Sequence, residues 1–444
     1  MKLKLLVPEW PATSLWHRFI FPLPPLTLAT LAAITPADWE VDIADENLAP
    51  VSLDDQPDLV GLTAMTPLAP RAYEIAAAYR ARGVRTVMGG FHASALPEEA
   101  KQHVDAVVIG EAEDVWPQVL EDAAHGRLQP FYRGVARPDL SGLPPARRDL
   151  LAEKGYLFLN TMQTTRGCPF DCEFCSVTAF YGRTIRPRPL PDIERELATM
   201  SGYVFFVDDN ICGNVPHARA LFTLLKNYSI RWVSQSSITL ADNPELLRLA
   251  AESGCCGLFI GFESLRPEAF AGINKPFGRP ARYVDAMKRF HDHGIGIQGS
   301  FVFGYDWDGP GTFDEVYEFT EKTRLDSAFF TILTPFPGTR VHERLSAEGR
   351  ILTHDWGRYD MSHVVYEPRC MSPERLEDSF HEINRRFFSI PSLLRRLPLA
   401  RRAQVFGPMN WGFRRGWKRA VGLRAGTTRA PVVSAALASE EPRA

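Results

Sequence analysis

Three cysteines stand close together near the middle of the chain: Cys168, Cys172 and Cys175, at the spacing C-x3-C-x2-C. Thiolates are the soft ligands that iron–sulfur clusters and zinc ions prefer. A structural zinc site needs four ligands, usually as two close pairs, and no second pair accompanies this motif. Three cysteines at this spacing also argue against a disulfide. The motif therefore predicts a 4Fe-4S cluster in which one iron has no protein ligand.

The same motif, together with its aromatic residue Phe174, resembles the signature of the radical S-adenosylmethionine (SAM) superfamily. The resemblance implies that the amino and carboxylate groups of SAM chelate the open iron. It also implies that an electron from the cluster cleaves SAM, and that the 5′-deoxyadenosyl radical takes a hydrogen atom from a substrate. A small electron-donor protein of the flavodoxin or ferredoxin type is then expected as a partner.

The length and composition of the chain indicate how many domains surround this motif and what kind of compartment the protein occupies. A chain of 444 residues that is 45% hydrophobic suggests two or three domains with sizeable cores. Seven cysteines form no disulfide framework in a chain of this length and indicate a reducing compartment. The apolar run at the N-terminus is too short for a signal peptide, and nowhere do ~18 apolar residues follow one another. We expect a soluble, cytoplasmic protein without a nucleic-acid partner.

Residues 1–135 alternate apolar strands with helical stretches, as in an α/β fold with a Rossmann-like, doubly wound parallel sheet. The predicted strands are Lys2–Val7, Trp39–Ala44, Asp58–Thr63, Val84–Gly89 and Ala106–Ile109. The predicted helices are Leu26–Ile34, Pro70–Arg82, Pro97–His103 and Val115–His125.

Ligands of such sheets lie at the carboxyl ends of the strands, which here are small, polar and rich in glycine. They carry no G-x-G-x-x-G fingerprint, so a nicotinamide cofactor is not supported, and taken alone they are typical of turns. The segments are Thr63-Ala64-Met65-Thr66, Gly89-Gly90-Phe91-His92 and Gly110-Glu111-Ala112-Glu113.

These segments resemble the cobalamin-binding domain that precedes the SAM domain in one large branch of the superfamily. The resemblance implies cobalamin contacts from Thr63, Met65, Gly89, Gly90, His92, Gly110 and Glu111. The D-x-H-x-x-G motif that supplies an axial histidine in other cobalamin proteins is absent. His92 follows two glycines instead, so cobalt is expected to have no histidine beneath it.

After a proline-rich linker, residues 136–155, a second α/β unit is predicted over residues 156–345. Counting an apolar strand at Tyr156–Leu159, it contains six β/α units, which fits a partial (β/α)6 barrel of the TIM type. The other predicted strands are Val204–Val207, Arg231–Ser236, Leu258–Ser264, Ile297–Gly304 and Ser327–Leu333.

Polar residues follow several of these strands, where barrel enzymes place their chemistry. Most such residues are caps or turn formers, but Glu263 ends an apolar strand, where an unpaired carboxylate would be costly. By resemblance, Glu263 lies where the family binds the ribose or amino group of SAM. The predicted SAM contacts are Asp208, Asp209, Asn210, Gln235, Glu263 and Gly304, with Asp208–Asn210 near the methionine portion and Gly304 near the adenine.

Residues 346–429 are predicted to form a C-terminal helical domain with a basic tail, and residues 430–444 a disordered end. Between Arg385 and Arg429 the chain has 12 Lys and Arg and no Asp or Glu. Trp411, Phe413 and Trp417 are interleaved with these charges. A solvated helical cap and a peripheral membrane contact both fit this pattern. Cys255 and Cys256 are expected to be small buried residues. A thiol close to the reaction is an alternative for Cys212, which lies two residues past Asn210, and for Cys370.

The pattern as a whole predicts a cobalamin-dependent radical SAM enzyme with a 4Fe-4S cluster, SAM and cobalamin as cofactors. The resemblance implies methyl transfer from methylcobalamin to an unactivated carbon of a small-molecule or lipid-like substrate. A ring closure or oxidation without methyl transfer, as in porphyrin-ring cyclases, stays open. A sensor that binds the cofactors without turnover is a further alternative, although a sensor needs no open iron. The sequence does not identify catalytic side chains for the substrate.

Overall fold

The structure is a computed structural model that describes residues 1–17, 23–152, 154–156, 160–275, 277–396 and 401–427. Its first sheet has six parallel strands in the order β2-β1-β3-β4-β5-β6. The five predicted strands are confirmed to within two residues, and the short strand β6 was not predicted. The strands are β1 (Lys2–Val7), β2 (Glu40–Asp45), β3 (Leu59–Thr63), β4 (Arg85–Gly89), β5 (Ala106–Ile109) and β6 (Phe131–Arg133).

Helices cover both faces of this sheet, because strands that are apolar on both sides must be buried on both sides. Leu28 and Trp116 belong to a core on one face, whereas Ile75 and Ala100 belong to a separate core on the other. The doubly wound architecture is thereby confirmed. The helices are α1 (Leu26–Ala33), α2 (Ala69–Arg80), α3 (Phe91–Ala95), α4 (Pro97–His103) and α5 (Trp116–Ala124).

A second sheet of six parallel strands forms the open barrel, in the order β14-β13-β12-β11-β10-β7. Of the predicted first strand, residues 157–159 lie outside the described residues, and the strand that joins the sheet is β7. The strands are β7 (Thr161–Met162), β10 (Gly202–Phe206), β11 (Ile230–Ser236), β12 (Cys255–Glu263), β13 (Gly296–Phe303) and β14 (Ser327–Ile332).

Between β7 and β10 lies a small antiparallel pair that was not predicted, β8 (Thr165–Arg166) and β9 (Arg186–Pro187). The chain between these two strands contains the three cysteines. Pairing of Arg166 with Arg186 therefore closes the base of the cysteine-containing segment.

The barrel helices alternate with its strands, and several begin where a side chain accepts a hydrogen bond from the first helical turn. Asn214, Asn243 and Thr339 are such caps. The helices are α6 (Ser176–Tyr181), α7 (Leu190–Leu197), α8 (Val215–Leu225), α9 (Pro244–Glu252), α10 (Ala269–Gly272), α11 (Tyr283–Asp292), α12 (Thr312–Lys322) and α13 (Arg340–Ala347). Short 3-10 turns occur at Thr66–Leu68, Arg148–Leu151, Ile238–Asp242, Pro280–Arg282 and Trp356–Arg358.

Three further helices pack on the barrel: α14 (Pro373–Phe387), α15 (Ile390–Arg396) and α16 (Arg401–Thr427). Phe406 of α16 is buried against the glycines at the start of two neighbouring strands, Gly257 and Gly296. A Cβ atom at Gly257 would come within 2.9 Å of the Phe406 ring, and one at Gly296 closer still. The ring therefore needs both glycines. The predicted disordered end, residues 430–444, lies outside the described residues.

Several side chains of the basic, aromatic tail are packed inside the protein. Phe413 and Trp417 are buried in the barrel core, whereas Trp411 is exposed. The Arg396 guanidinium is fully buried, donates to the carbonyls of Leu325 and Phe387, and stacks on the Phe387 ring. None of the helices among the described residues has the length and apolar character that a membrane span requires.

The fit of Phe406 against Gly296 can be tested by overpacking. We expect Gly296→Ala to lower the free energy of unfolding by about 1–3 kcal/mol, because a methyl group there collides with the ring. Adding Phe406→Leu should recover part of the loss. Urea denaturation followed by circular dichroism measures both effects. Gly309→Ala is the control, since a Cβ at Gly309 meets no atom within 4 Å; equal losses from the two alanine variants would contradict the packing described here.

Candidate functional site

The cysteine loop, Cys168–Cys175, runs from the end of β8 to the start of α6. Its three thiols are half-buried, and none forms a disulfide. The amide of Cys175 donates to the carbonyl of Cys172 at 3.2 Å, so these two residues share one turn. Gly167 enters the loop with φ +89°, and a Cβ atom there would collide with the carbonyl of Thr184. Only glycine fits this conformation and this space.

Two aspartates at the end of β10 hold the chain that leads into this loop. The buried carboxylate of Asp208 accepts from the amide of Thr164 at 2.6 Å and from the Thr165 hydroxyl at 3.0 Å. Asp209 accepts from the amide of Gly167 at 2.8 Å. Burial raises the pKa of Asp209 to about 6, although this hydrogen bond opposes the rise. Both side chains thus fix the backbone ahead of Cys168.

Asn210, the third residue of this turn, lies between the cysteine loop and the end of the next strand of the barrel. Its side-chain oxygen accepts from the amide of Ser237 at 3.2 Å. Burial raises the pKa of the Cys168 thiol, and the Asn210 side chain opposes that rise. Gln235, on β11, is half-buried, and its carbonyl accepts from Ile211 at 3.0 Å. The structure therefore brings Asp208, Asp209, Asn210 and Gln235 to the same end of the barrel. Their contacts with SAM remain predictions.

From the sequence alone, Glu263 is expected to be a carboxylate without a partner in the protein. In the structure it has one, Lys275. Its carboxylate accepts from the Lys275 ammonium at 2.6 Å, and both side chains are buried. The ammonium also donates to the carbonyl of Gly261 at 2.8 Å. A β-bulge between Gly261 and Glu263, with φ +60° at Glu263, turns the carboxylate into this position. Lys275 lies in a loop 12 residues further on, and no sequence pattern pointed to it.

The segment around Lys275 also lines the cysteine loop, since the amide of Glu173 donates to the carbonyl of Ile273 at 3.0 Å. Burial raises the pKa of the Cys172 thiol to about 12, and the charge of Lys275 opposes that rise. Thiolates in this setting need nearby positive charge, which coordinated iron supplies. A buried carboxylate and a buried ammonium beside the loop also match the opposite charges of an amino acid head group, such as that of SAM.

Gly304, the predicted adenine contact, directly follows β13 and has a conformation that only glycine adopts readily. Its φ is +102°, and a side chain there would collide with the Tyr366 hydroxyl, which hydrogen-bonds the Gly304 carbonyl. The amides of Gly304 and Tyr305 both donate to Asp308, at 2.9 and 3.0 Å. Burial raises the pKa of Asp308 to about 7, although these two donors oppose the rise. The Gly304 turn is thus tightly held.

A cavity of about 330 Å³ lies between the first sheet and the two segments that flank the cysteine loop. Six of the seven predicted cobalamin contacts line it: Thr63, Met65, Gly89, Gly90, Gly110 and Glu111. The opposite wall comes from the barrel side and includes Arg166, Phe180 and Tyr181. The two sheets therefore enclose one space, and the barrel-side wall is continuous with the cysteine loop.

His92, the seventh predicted contact, does not line this cavity. Its buried ring hydrogen-bonds the Tyr73 hydroxyl at 2.9 Å and lies 3.3 Å from the Glu99 carboxylate. Burial lowers its pKa, and the charge of Glu99 opposes that shift. Within the described part of the chain no histidine lines the cavity, in keeping with the missing D-x-H-x-x-G motif.

The residues present fit both metal-containing cofactors. Among the described residues, no three His, Cys, Asp or Glu side chains converge on a single ion. A cubane cluster needs no such convergence, because each thiolate binds a different iron. The cavity suits a large flat ring, since its floor is rich in glycine and most of its lining is apolar, with a few charged side chains at one end. At Gly90, with φ +96°, a Cβ atom would lie 2.9 Å from the carbonyl of Ala64.

The pairing of Glu263 with Lys275 yields a stability test. We expect Lys275→Met to lower the free energy of unfolding by about 3–5 kcal/mol, because it leaves a buried carboxylate without a partner. Glu263→Gln combined with Lys275→Met should cost clearly less than Lys275→Met alone. Urea denaturation of the metal-free protein gives both values. Lys288→Met, which breaks an exposed pair with Asp292, is the control and should change little. A double variant that loses as much stability as Lys275→Met alone, or more, would contradict a coupled buried pair.

Comparison with known proteins agrees with this geometry. The B12 binding domain family matches residues 17–120, and the Radical SAM superfamily matches residues 162–320. The chain is 30% identical over 400 residues to a bacteriochlorophyllide d C-12(1)-methyltransferase of Chlorobaculum tepidum, covering 87% of this chain and 86% of that protein. It is 28% identical over 354 residues to a hopanoid C-2 methylase of Rhodopseudomonas palustris, covering 76% and 66%.

Among solved structures, the fold is similar to that of the radical SAM methyltransferase TsrM from Kitasatospora setae with cobalamin and a 4Fe-4S cluster bound. The TM-score is 0.64 at 18% identity, over 85% of each chain. The cysteine loop, the glycine-rich cavity and the similarity to these proteins all point to the same family. The chain belongs to the radical SAM superfamily, in the branch with a cobalamin-binding domain, and is an enzyme whose cofactors are a 4Fe-4S cluster, SAM and cobalamin.

Proposed function

We propose that this enzyme transfers a methyl group to an unactivated carbon of a small apolar or lipid-like molecule. The observation that carries the proposal is the single cavity shared by the two sheets. Gly89 and Gly110 form its cobalamin side, whereas Arg166 and Tyr181 form its barrel side. Since Arg166 lies two residues before Cys168, the cavity is next to the proposed cluster ligands. This proximity supports a site in which both cofactors act on one substrate.

When bound, the cluster and SAM supply a radical that removes hydrogen from carbon, and cobalamin supplies the methyl group. The protein's own part is to position these groups and to exclude water. Asp208 and Asp209 fix the backbone that leads into the cysteine loop. The Glu263–Lys275 pair offers charges of both signs beside Cys172. The predicted SAM contacts at Asn210, Gln235 and Gly304 complete the proposed SAM side of the site.

The walls of the cavity support an apolar substrate class. Phe91, Phe180 and Tyr181 form an aromatic group in the wall, with ring centroids 4.5 Å apart for the first two and 4.8 Å for the last two. Leucine and valine side chains contribute much of the remaining lining. Water is poorly held by such surfaces, which favour flat or hydrocarbon-rich molecules. A bacteriochlorophyllide and a hopanoid are named as substrates of two similar proteins, and this class is consistent with them.

We further propose that a flavodoxin-type or ferredoxin-type protein supplies the electron for the cluster. The cysteine loop is half-buried rather than enclosed. Arg183 and Arg340, both well exposed, flank it and share one carboxylate, that of Asp171. This local excess of positive charge suits an acidic redox partner.

Methyl transfer can be tested with SAM that carries an isotopically labelled methyl group. The reconstituted enzyme is incubated without oxygen with this SAM, a reductant and extracts of lipids or tetrapyrrole pigments. We expect the label on carbon in an apolar product, together with 5′-deoxyadenosine. Mass spectrometry detects both products.

A variant in which Cys168, Cys172 and Cys175 are all alanine serves as the control, because it lacks the ligands for the cluster. It should form neither product. A product that has lost hydrogen and carries no label would contradict methyl transfer and indicate ring closure or oxidation instead. Unchanged formation of 5′-deoxyadenosine by the triple variant would contradict the assignment of the cluster.

A further inference from the structure

A buried group of charges joins the wall of the cobalamin cavity to the cysteine loop. The Arg166 guanidinium donates to Glu111 at 2.5 Å and to Glu113 at 2.7 Å. Both carboxylates follow β5 of the first sheet, whereas Arg166 is the last residue of β8 on the barrel side. All three side chains are at least 85% buried. One guanidinium thus bridges two carboxylates across the boundary between the sheets.

A second arginine completes this group. Arg186 of β9, which pairs with Arg166 in the small antiparallel sheet, donates to the other oxygen of Glu111 at 2.5 Å. The Tyr181 ring lies beside both guanidiniums, with its centroid 5.8 Å from Arg166 and 6.0 Å from Arg186. Two acidic and two basic groups balance in charge. Such a group can stay ionised away from water because each charge has a close partner.

The same residues face the two cofactor sites. Glu111, Glu113, Arg166 and Tyr181 all line the cavity. Along the chain, Arg166 is followed by Gly167, whose amide is fixed by Asp209, and then by Cys168. A displacement of the Glu111 segment would therefore move the Arg166 guanidinium. Because only Gly167 separates Arg166 from Cys168, it would also move the first proposed cluster ligand. Lysine would not serve equally, since it lacks the planar fork that spans two carboxylates.

We propose that Arg166 is a positioning residue that couples occupancy of the cobalamin cavity to the conformation of the cysteine loop. Binding of cobalamin against Glu111 and Glu113 then orders the loop, and the ordered loop in turn favours cobalamin by the same factor. The inference uses the cobalamin and cluster sites but not methyl transfer, and it holds whatever the substrate is.

Hydrogen–deuterium exchange of the cluster-loaded enzyme, with and without saturating hydroxocobalamin, tests this coupling. In the unaltered enzyme, we expect cobalamin to slow amide exchange in the cavity segment, residues 87–92, and in the loop segment, residues 164–175. In the loop the slowing should be about fivefold or more, the lower end of usual coupling between sites. In Arg166→Gln the cavity segment should still be protected, but protection of the loop should be lost.

Because hydroxocobalamin is saturating, a loss of loop protection reports lost coupling rather than weaker binding of cobalamin. A purely structural defect would instead raise amide exchange in the loop to the same extent with and without cobalamin. Arg127→Gln is the matched control, because Arg127 also bridges two carboxylates, those of Glu121 and Asp122 near the end of α5, and none of the three lines the cavity. It should behave as the unaltered enzyme. Loop protection that persists in Arg166→Gln, or that is absent from the unaltered enzyme, would overturn the proposal.

Iron content and hydroxocobalamin content are measured for every variant before exchange. If Arg166→Gln does not retain iron, Glu113→Gln takes its place, since it leaves Arg166 and its bond to Glu111 intact. Loss of one of the two bridging carboxylates should then reduce protection of the loop to about half or less of its value in the unaltered enzyme. Full protection in Glu113→Gln would overturn the proposal equally. The assay requires neither SAM nor substrate, so its outcome is separate from that of the labelling experiment.

Discussion

A loop that offers three thiolates to a cluster must be held by groups outside itself, because three thiolates in one place repel each other and burial disfavours their charge. Here the holding groups come from three directions. Asp208 and Asp209 fix the backbone ahead of Cys168, Lys275 brings positive charge near Cys172, and Arg166 ties the entry of the loop to the first sheet. The placement of the cysteine loop beside the cavity depends on these contacts.

The two parallel sheets explain why these groups meet. Parallel strands present all their carboxyl ends at one edge, so residues far apart in sequence arrive at one place. Glu111 follows a strand of the first sheet and Asp208 follows a strand of the second, yet both act on the chain between Thr164 and Gly167. The cavity between the sheets is therefore a product of topology, and its chemistry is supplied by strand-end residues.

The sequence predicted ten of the strands and most helices, because buried parallel strands are continuously apolar and helices repeat their apolar positions. The short strands β6, β7, β8 and β9 were missed. The sequence also placed the three cysteines in one short loop and named six of the residues that line the cavity. Lys275 and Arg186 were missed, since an ion pair between distant segments leaves no local pattern. His92 is an error of the opposite kind, because a local pattern was present but misleading. Its place after Gly90 suggested a cofactor contact, but its ring, at the start of α3, hydrogen-bonds Tyr73 instead. The aromatic tail was ambiguous because burial of Phe413 and Trp417 depends on how α16 packs.

The central claim is that one iron of a 4Fe-4S cluster lacks a protein ligand and binds SAM. Electron paramagnetic resonance of the anaerobically reconstituted, reduced protein, combined with metal analysis, tests it most directly. We expect the iron and sulfide content of one 4Fe-4S cluster per chain and a signal that changes when SAM is added. Zinc in place of iron, or a cluster signal that SAM leaves unchanged, would contradict it.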